Sequence, residues 1–166
     1  MDKIILVRPA EHNKSSGLLT GEGHQKIVYL AQNLIEVIGK INRLRVMIVS
    51  SPEICAQETS KVLLSEICAS FNESTKESEL LGAHYKTSEE YNEKIAKLVE
   101  EAEKGKVDIF IIVTDDSPIS SFPDYFSRTR LWRTCSFGSL EPGEALILNL
   151  RRTQTMIINQ PFNAFI

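Results

Sequence analysis

Three short stretches of this chain hold residues that could do chemistry. The first is Arg8, with Glu11 and His12 close behind it, at the end of the apolar run Ile4 to Val7. A guanidinium is permanently charged and presents a planar fork of donors, so Arg8 suits bidentate capture of an oxyanion. The second is Cys55, four residues after Ser51 and Pro52. A helix N-terminus favours the thiolate, which makes such a cysteine a nucleophile in principle. Cys55 lacks the anion-cradling loop that cysteine nucleophiles use, so a packed thiol is the simpler expectation. The third stretch is Asp115-Asp116, where carboxylates could hold magnesium for a hydrolysis. Adjacent acids diverge, however, and an Asp-x-Asp arrangement is absent.

These residues need elements to position them. Ile4 to Val7, Val46 to Val49 and Val107 to Val113 are continuous apolar runs, the mark of strands covered on both faces. Between the first two, Ile27, Leu30, Ala31, Leu34, Ile35 and Ile38 recur at helical spacing, with Thr20 as cap and Gly39 as stop. Ser51-Pro52 reads as a second helix start, running to about Ser70. Phe71 to Lys86 has no sustained period and reads as a loop. Thr87-Ser88-Glu89-Glu90 is a capping box for a third helix that ends at Gly105. Ser117-Pro118 opens a fourth. Ala145 to Leu150 and Thr155 to Ile158 read as late strands, a hairpin at a sheet edge.

Strands alternating with helices predict an α/β fold, a three-layer sandwich with a mostly parallel sheet flanked by helices on both faces. Ligands in such sheets bind outside the carboxyl ends of the strands. Those ends are Arg8-Pro9-Ala10-Glu11, Ser50-Ser51-Pro52 and Thr114-Asp115-Asp116, so chemistry belongs there. The length of 166 residues and the lack of a Pro/Gly/Ser-rich linker predict one domain over 1–166.

Composition narrows the partners. A formal charge of −3 provides no global field to draw in nucleic acid or an acidic membrane. The local basic clusters, Arg128, Arg130 and Arg133, and Arg151 with Arg152, read as solvated faces. Cys55, Cys68 and Cys135 have no CxxC spacing and make a poor disulfide framework, so reduced thiols and no metal site are expected. His24 and His84 read as an exposed helix residue and a loop residue. No apolar run approaches the ~20 residues that span a bilayer, and the N-terminus lacks a signal-peptide pattern. A cytoplasmic location is the expectation.

Several segments together resemble the histidine phosphatase superfamily, the phosphoglycerate-mutase-like proteins, and in length its short phosphohistidine-phosphatase-like branch. Leu6-Val7-Arg8-Pro9-Ala10-Glu11 looks like the strand-end pattern Leu-Val-Arg-His-Gly-Glu. Leu19-Thr20-Gly21-Glu22-Gly23 matches a Leu-Thr-x-x-Gly helix entry, although Lys26 stands where a glutamine usually follows. Ser51-Pro52-Glu53-Ile54-Cys55-Ala56-Gln57-Glu58-Thr59 is similar to Ser-Pro-x-x-Arg-Ala-x-Gln-Thr. Ile112 to Asp116 falls where the family has Val-Ser-His-Gly. A coincidence of α/β patterning would show as a different strand order.

The resemblance implies a phosphohistidine intermediate on the histidine after the first arginine. Two arginines and a second histidine embrace the phosphoryl oxygens, which suits a reaction governed by positioning and charge stabilisation. Carried onto this chain, only Arg8 survives of those four. The nucleophile position is Pro9, the second arginine is Cys55 and the second histidine is Asp115. Glu11 keeps its place in the strand-end pattern, and Glu79 is the candidate for the family's general acid. His12 is the nearest histidine to the missing nucleophile, but reaching that place needs a different loop path.

Arg8 alone would struggle to hold phosphate beside an ionised Asp115, since like charges about 4 Å apart repel by about 4 kcal/mol at an effective dielectric near 20. An Arg8–Asp115 ion pair closing the pocket is the expected outcome. The chain therefore reads as a catalytically inactive member, a binding or regulatory module with no cofactor, whose ligand is a small molecule or a protein. The alternative is a hydrolase with an unusual active site built on Asp115, Asp116 and a metal.

Overall fold

The structure is a computed structural model that describes residues 1–38, 45–71, 87–130, 138–150 and 154–158. Nine elements follow in chain order: β1 (Lys3–Val7), α1 (Gly21–Ile38), β2 (Val46–Ser50), α2 (Ile54–Phe71), α3 (Ser88–Lys104), β3 (Ile109–Val113), α4 (Asp116–Arg130), β4 (Ala145–Asn149) and β5 (Gln154–Ile158). The strands form one sheet in the order β2-β3-β1-β4-β5. β1, β2 and β3 are parallel, β4 runs against β1, and β5 turns back along β4. Four strands thus point one way and β4 the other, as a mostly parallel sheet requires. The late hairpin places β5 at the edge, as its sequence predicts.

The central strands show no alternation in burial because both faces are covered. Ile5, Val7, Ile111, Val113, Val46 and Ile48 pack with Ile27, Leu30, Leu34 and Leu63 of α1 and α2. Ile4, Leu6, Phe110, Ile112 and Val49 pack with Ile95, Leu98, Val99, Ile119 and Phe122 of α3 and α4. The pleat sends successive side chains to opposite faces, so each apolar run feeds both cores. This is the three-layer arrangement expected.

The helix signals hold with small shifts. Thr20 caps α1 by accepting from the Gly23 amide at 3.0 Å, and Thr87 caps α3 by accepting from the Glu90 amide at 3.2 Å. α2 does not start with Pro52 at its first position. It begins at Ile54, and the Gln57 amide donates to the Glu53 carbonyl at 3.0 Å, so Pro52 and Glu53 form a bend before the helix. α4 likewise starts at Asp116, one residue ahead of Ser117-Pro118. The stretch 72–86 lies outside the described residues. So do Gly39, Glu79, His84, Arg133, Cys135, Arg151 and Arg152. Arg128 and Arg130 are ion-paired on the surface, to Asp124 at 3.0 Å and Glu100 at 2.9 Å.

One close approach fixes the entry to the site. Thr20 bonds back to the Glu11 carbonyl through both its amide, at 2.9 Å, and its hydroxyl, at 3.2 Å. This folds the loop onto the start of α1, directly over Gly23. A Cβ at Gly23 would be driven into the Glu11 carbonyl oxygen, with the carbonyl carbon 3.1 Å away. At Gly21 a Cβ meets nothing within 4 Å. Gly23→Ala is therefore expected to destabilise by about 1–3 kcal/mol, as overpacking does. Gly21→Ala should be neutral or stabilise by up to about 1 kcal/mol. Thermal or urea unfolding of the two variants checks both, and equal effects would contradict the geometry.

Candidate functional site

Strand register builds the site. Val7 is level with Val113, and Val113 with Ser50, so the three parallel strands stop side by side. The ladder extends one residue beyond: the Thr114 amide donates to the Val7 carbonyl at 3.0 Å and the Ser51 amide to the Val113 carbonyl at 2.9 Å. Arg8, Ser51 and Thr114 therefore stand in a row, with Pro9, Glu53 and Asp115 just past it. The sequence places its candidate residues at these ends, and the fold brings Arg8, Pro9, Glu11, Cys55 and Asp115 to the same end of the sheet.

Arg8 is committed to the protein. Its backbone is held by the β4 approach, its amide donating to the Glu144 carbonyl at 3.0 Å while its carbonyl accepts from Gly143 at 3.2 Å. Nη1 donates to the Leu140 carbonyl. The same nitrogen lies 3.5 Å from Asp116 Oδ1. This corrects the expected Arg8–Asp115 pair: the partner is the next acid along. Asp116 is the first residue of α4, and that helix packs on the face of the sheet to which Arg8, following Ile4 and Leu6, is directed. Asp115 feels the Arg8 charge but makes no ion pair within 4.0 Å among the described residues.

Pro9, at the position the resemblance gives to the nucleophile, is buried. Its ring nitrogen is an amide with no lone pair to offer phosphorus. Glu11 is tied to Lys26 by an ion pair and hydrogen bond. Burial alone would raise the Glu11 carboxyl, but Lys26 and the Glu11 amide overcome it and hold the group below the ordinary glutamate value. Lys26, which departs from the family's glutamine, thus has a partner that accounts for it.

Cys55 is 7% exposed. Burial, then the negative charge of Asp115, then that of Glu53 raise its thiol despite the favourable backbone amides of Ala56 and Cys55. A thiol driven toward its protonated form is a poor nucleophile, so the packed-thiol expectation holds. Asp115 is also raised, first by desolvation and then by Glu53, with Arg8 and His12 opposing and Asp116 adding to the rise. His12 has an exposed ring whose Nδ1 lies 3.3 Å from the Ala10 carbonyl. Its charge reaches Asp115, but no ion pair joins them. The side chain of Cys68 lies outside the described set.

Two members of this constellation escape the sequence reading. Glu53 occupies an unspecified place in the Ser-Pro-x-x pattern, and Asp116 enters there only as a metal-ligand alternative. Both sit in strand-end loops, and an acid in such a loop is the available signal. The result is acidic: Glu53, Asp115 and Asp116 gather where the resemblance calls for cations.

Solved structures share the whole architecture. Mycobacterial glucosyl-3-phosphoglycerate phosphatase is 11% identical, with a TM-score of 0.66 over 95% of this chain and 97% of that one. A structure of the same phosphatase with inorganic phosphate gives 0.65 over 96% of each chain, at 11% identity. Phosphoglycerate mutase from Plasmodium falciparum is 17% identical, with a TM-score of 0.53 over 99% of this chain and 96% of that one. No family model matches the sequence, and no curated protein is similar to it in sequence.

The raised Asp115 carboxyl makes a stability prediction. The native state holds this proton to higher pH than the unfolded chain does, so it binds more protons once pH exceeds the ordinary aspartate value of about 3.9. Stability falls as pH rises from there through the raised native value, and the deficit is complete above it. Asp115→Asn removes the deficit while keeping a side chain suited to a helix start. Because the residue is exposed, screening limits the gain to a few tenths up to about 1 kcal/mol at neutral pH. Unfolding curves at pH 7.5 and pH 3.5 check this: the variant should gain at the first and match the wild type at the second.

Proposed function

Because the chain has the fold of the histidine phosphatase superfamily without the residues that receive the phosphoryl group, we propose that it is a pseudophosphatase. It acts as a binding or regulatory module at the strand-end site and performs no phosphoryl transfer. The observation that carries this reading is the buried Pro9, two residues past the end of β1, at the position the resemblance gives to the nucleophile. Proline provides neither an attacking lone pair nor a proton.

The surroundings support the same reading. A transferring phosphoryl group carries negative charge on its equatorial oxygens and needs cations around it. Here Arg8 is engaged by Leu140 and Asp116, Cys55 is a neutral thiol in place of an arginine, and Asp115 replaces a histidine with an acid. The hydrolase alternative on Asp115 and Asp116 loses ground on the same facts. Asp116 is turned to Arg8, whereas Asp115 has no ion pair within 4.0 Å among the described residues and is raised by burial and by Glu53.

An assay on a generic aryl phosphate, with and without magnesium, tests the reading. The wild type should show no turnover above background in either condition. The triple variant Pro9→His, Cys55→Arg, Asp115→His should gain measurable turnover if the aligned positions are right. Wild-type turnover that magnesium stimulates and Asp115→Asn abolishes would instead establish the metal-dependent alternative.

A further inference from the structure

Resting on the reading of the strand-end site as a binding site, we propose that Asp116 is an internal anion that holds the Arg8 guanidinium closed to others, an autoinhibitory contact built into the first turn of α4. Withdrawal of its carboxylate opens Arg8 to an oxyanion brought from outside.

The contact is one of charge without a hydrogen bond. Asp116 Oδ1 lies 3.5 Å from Arg8 Nη1, yet it is buried and accepts no hydrogen bond. Nη1 donates instead to the Leu140 carbonyl. Both contacts of the guanidinium thus use one nitrogen, and among the described residues Nε and Nη2 have no partner. An arginine fork holds a carboxylate or phosphate best through two parallel donors. Asp116 neutralises Arg8 and leaves that edge unused.

Such a contact is able to yield. A buried carboxylate oxygen without a donor is costly to keep from water. The side chains of Arg8 and Asp116 are 30% and 40% exposed, so rotation of the aspartate alone returns its carboxylate to solvent. Ion pairs exposed to this degree are weak. Arg8 does not follow, because its amide and carbonyl are bonded to Glu144 and Gly143 and its Nη1 to Leu140. One partner is fixed and the other turns, as a latch requires.

A second observation, independent of this pair, points to an acceptor. Met47 and Val49, Phe110 and Ile112, and Ile4 and Leu6 face the α3/α4 layer, and the pleat carries Ser51, Thr114 and Arg8 to the same face. Thr114, between the other two, is hydrogen-bonded to Tyr91 of α3 at 2.6 Å, in keeping with that direction. Ser51 is 2% exposed, and its hydroxyl has no hydrogen-bond partner. The row therefore holds a buried hydroxyl and a guanidinium edge, both donors and both unmet, which an oxyanion satisfies and a cation does not.

Calorimetric titration of the full chain with inorganic phosphate at low salt tests this, with Asp116→Asn as the variant and circular dichroism as the check on folding. The variant should bind phosphate about tenfold more tightly than the wild type, from loss of a half-exposed pair and of a like charge about 4 Å away. Adding Arg8→Gln should abolish the gain. Because Arg8 also fastens the sheet, NMR gives a reading that does not depend on that substitution: the Arg8 Nε–H signal of Asp116→Asn should move with phosphate in step with binding. Equal or absent phosphate binding in wild type and folded Asp116→Asn, a gain that outlives Arg8→Gln, or an Arg8 signal that phosphate leaves in place would overturn the proposal. Aryl phosphate turnover is read separately: its appearance in the wild type defeats the pseudophosphatase reading, whereas unchanged phosphate binding in a chain without turnover defeats this inference alone.

Discussion

The hydrogen-bonded register of β1, β3 and β2 is the constraint on which the molecule's chemistry rests. Val7, Val113 and Ser50 end level with one another. Whatever residues come next are therefore brought together regardless of their chemical type. The strands themselves are apolar and interchangeable in character, and their task is to stop in the same plane. That separation of duties lets one architecture carry very different sites. It also accounts for a fold shared with a phosphatase at only 11% identity.

The charges at this end of the sheet are coupled. Glu53 and Asp115 act on Cys55, and Glu53 and Asp116 on Asp115, with Arg8 and His12 acting on Asp115 from the other side of the balance. Part of the resulting strain is answered locally: Lys26 neutralises Glu11, and Arg8 turns to Asp116. Asp115 and Cys55 are both shifted upward, toward the protonated, neutral form, first by burial and then by the negative charge around them. Glu11 moves the other way, held low by Lys26.

Much of this was legible in the residues. Continuous apolar runs revealed the doubly covered strands, helical spacing revealed α1 and α3, and Thr20 and Thr87 marked their starts correctly. The Ser-Pro signals were less accurate. Proline tolerates the bend before a helix as well as its first turn, and Pro52 took the bend while Pro118 was carried inside α4. The choice of Asp116 over Asp115 as the partner of Arg8 was not legible. It depends on which of two neighbouring side chains the first turn of α4 presents to the α3/α4 face, a matter of a single residue's rotation about the helix axis. Glu53 was silent for a related reason, since its significance comes from Asp115, which lies far away in sequence and reaches it only through the β2–β3 pairing.

Arg8 deserves a different interpretation from the one its position first suggests. Its backbone joins β1 to the turn before β4 through Gly143 and Glu144, and its guanidinium reaches the Leu140 carbonyl in the same approach. The residue fastens the antiparallel half of the sheet to the parallel half. An arginine here thus has a mechanical task whether or not any ligand is bound, and its presence alone carries little information about catalysis.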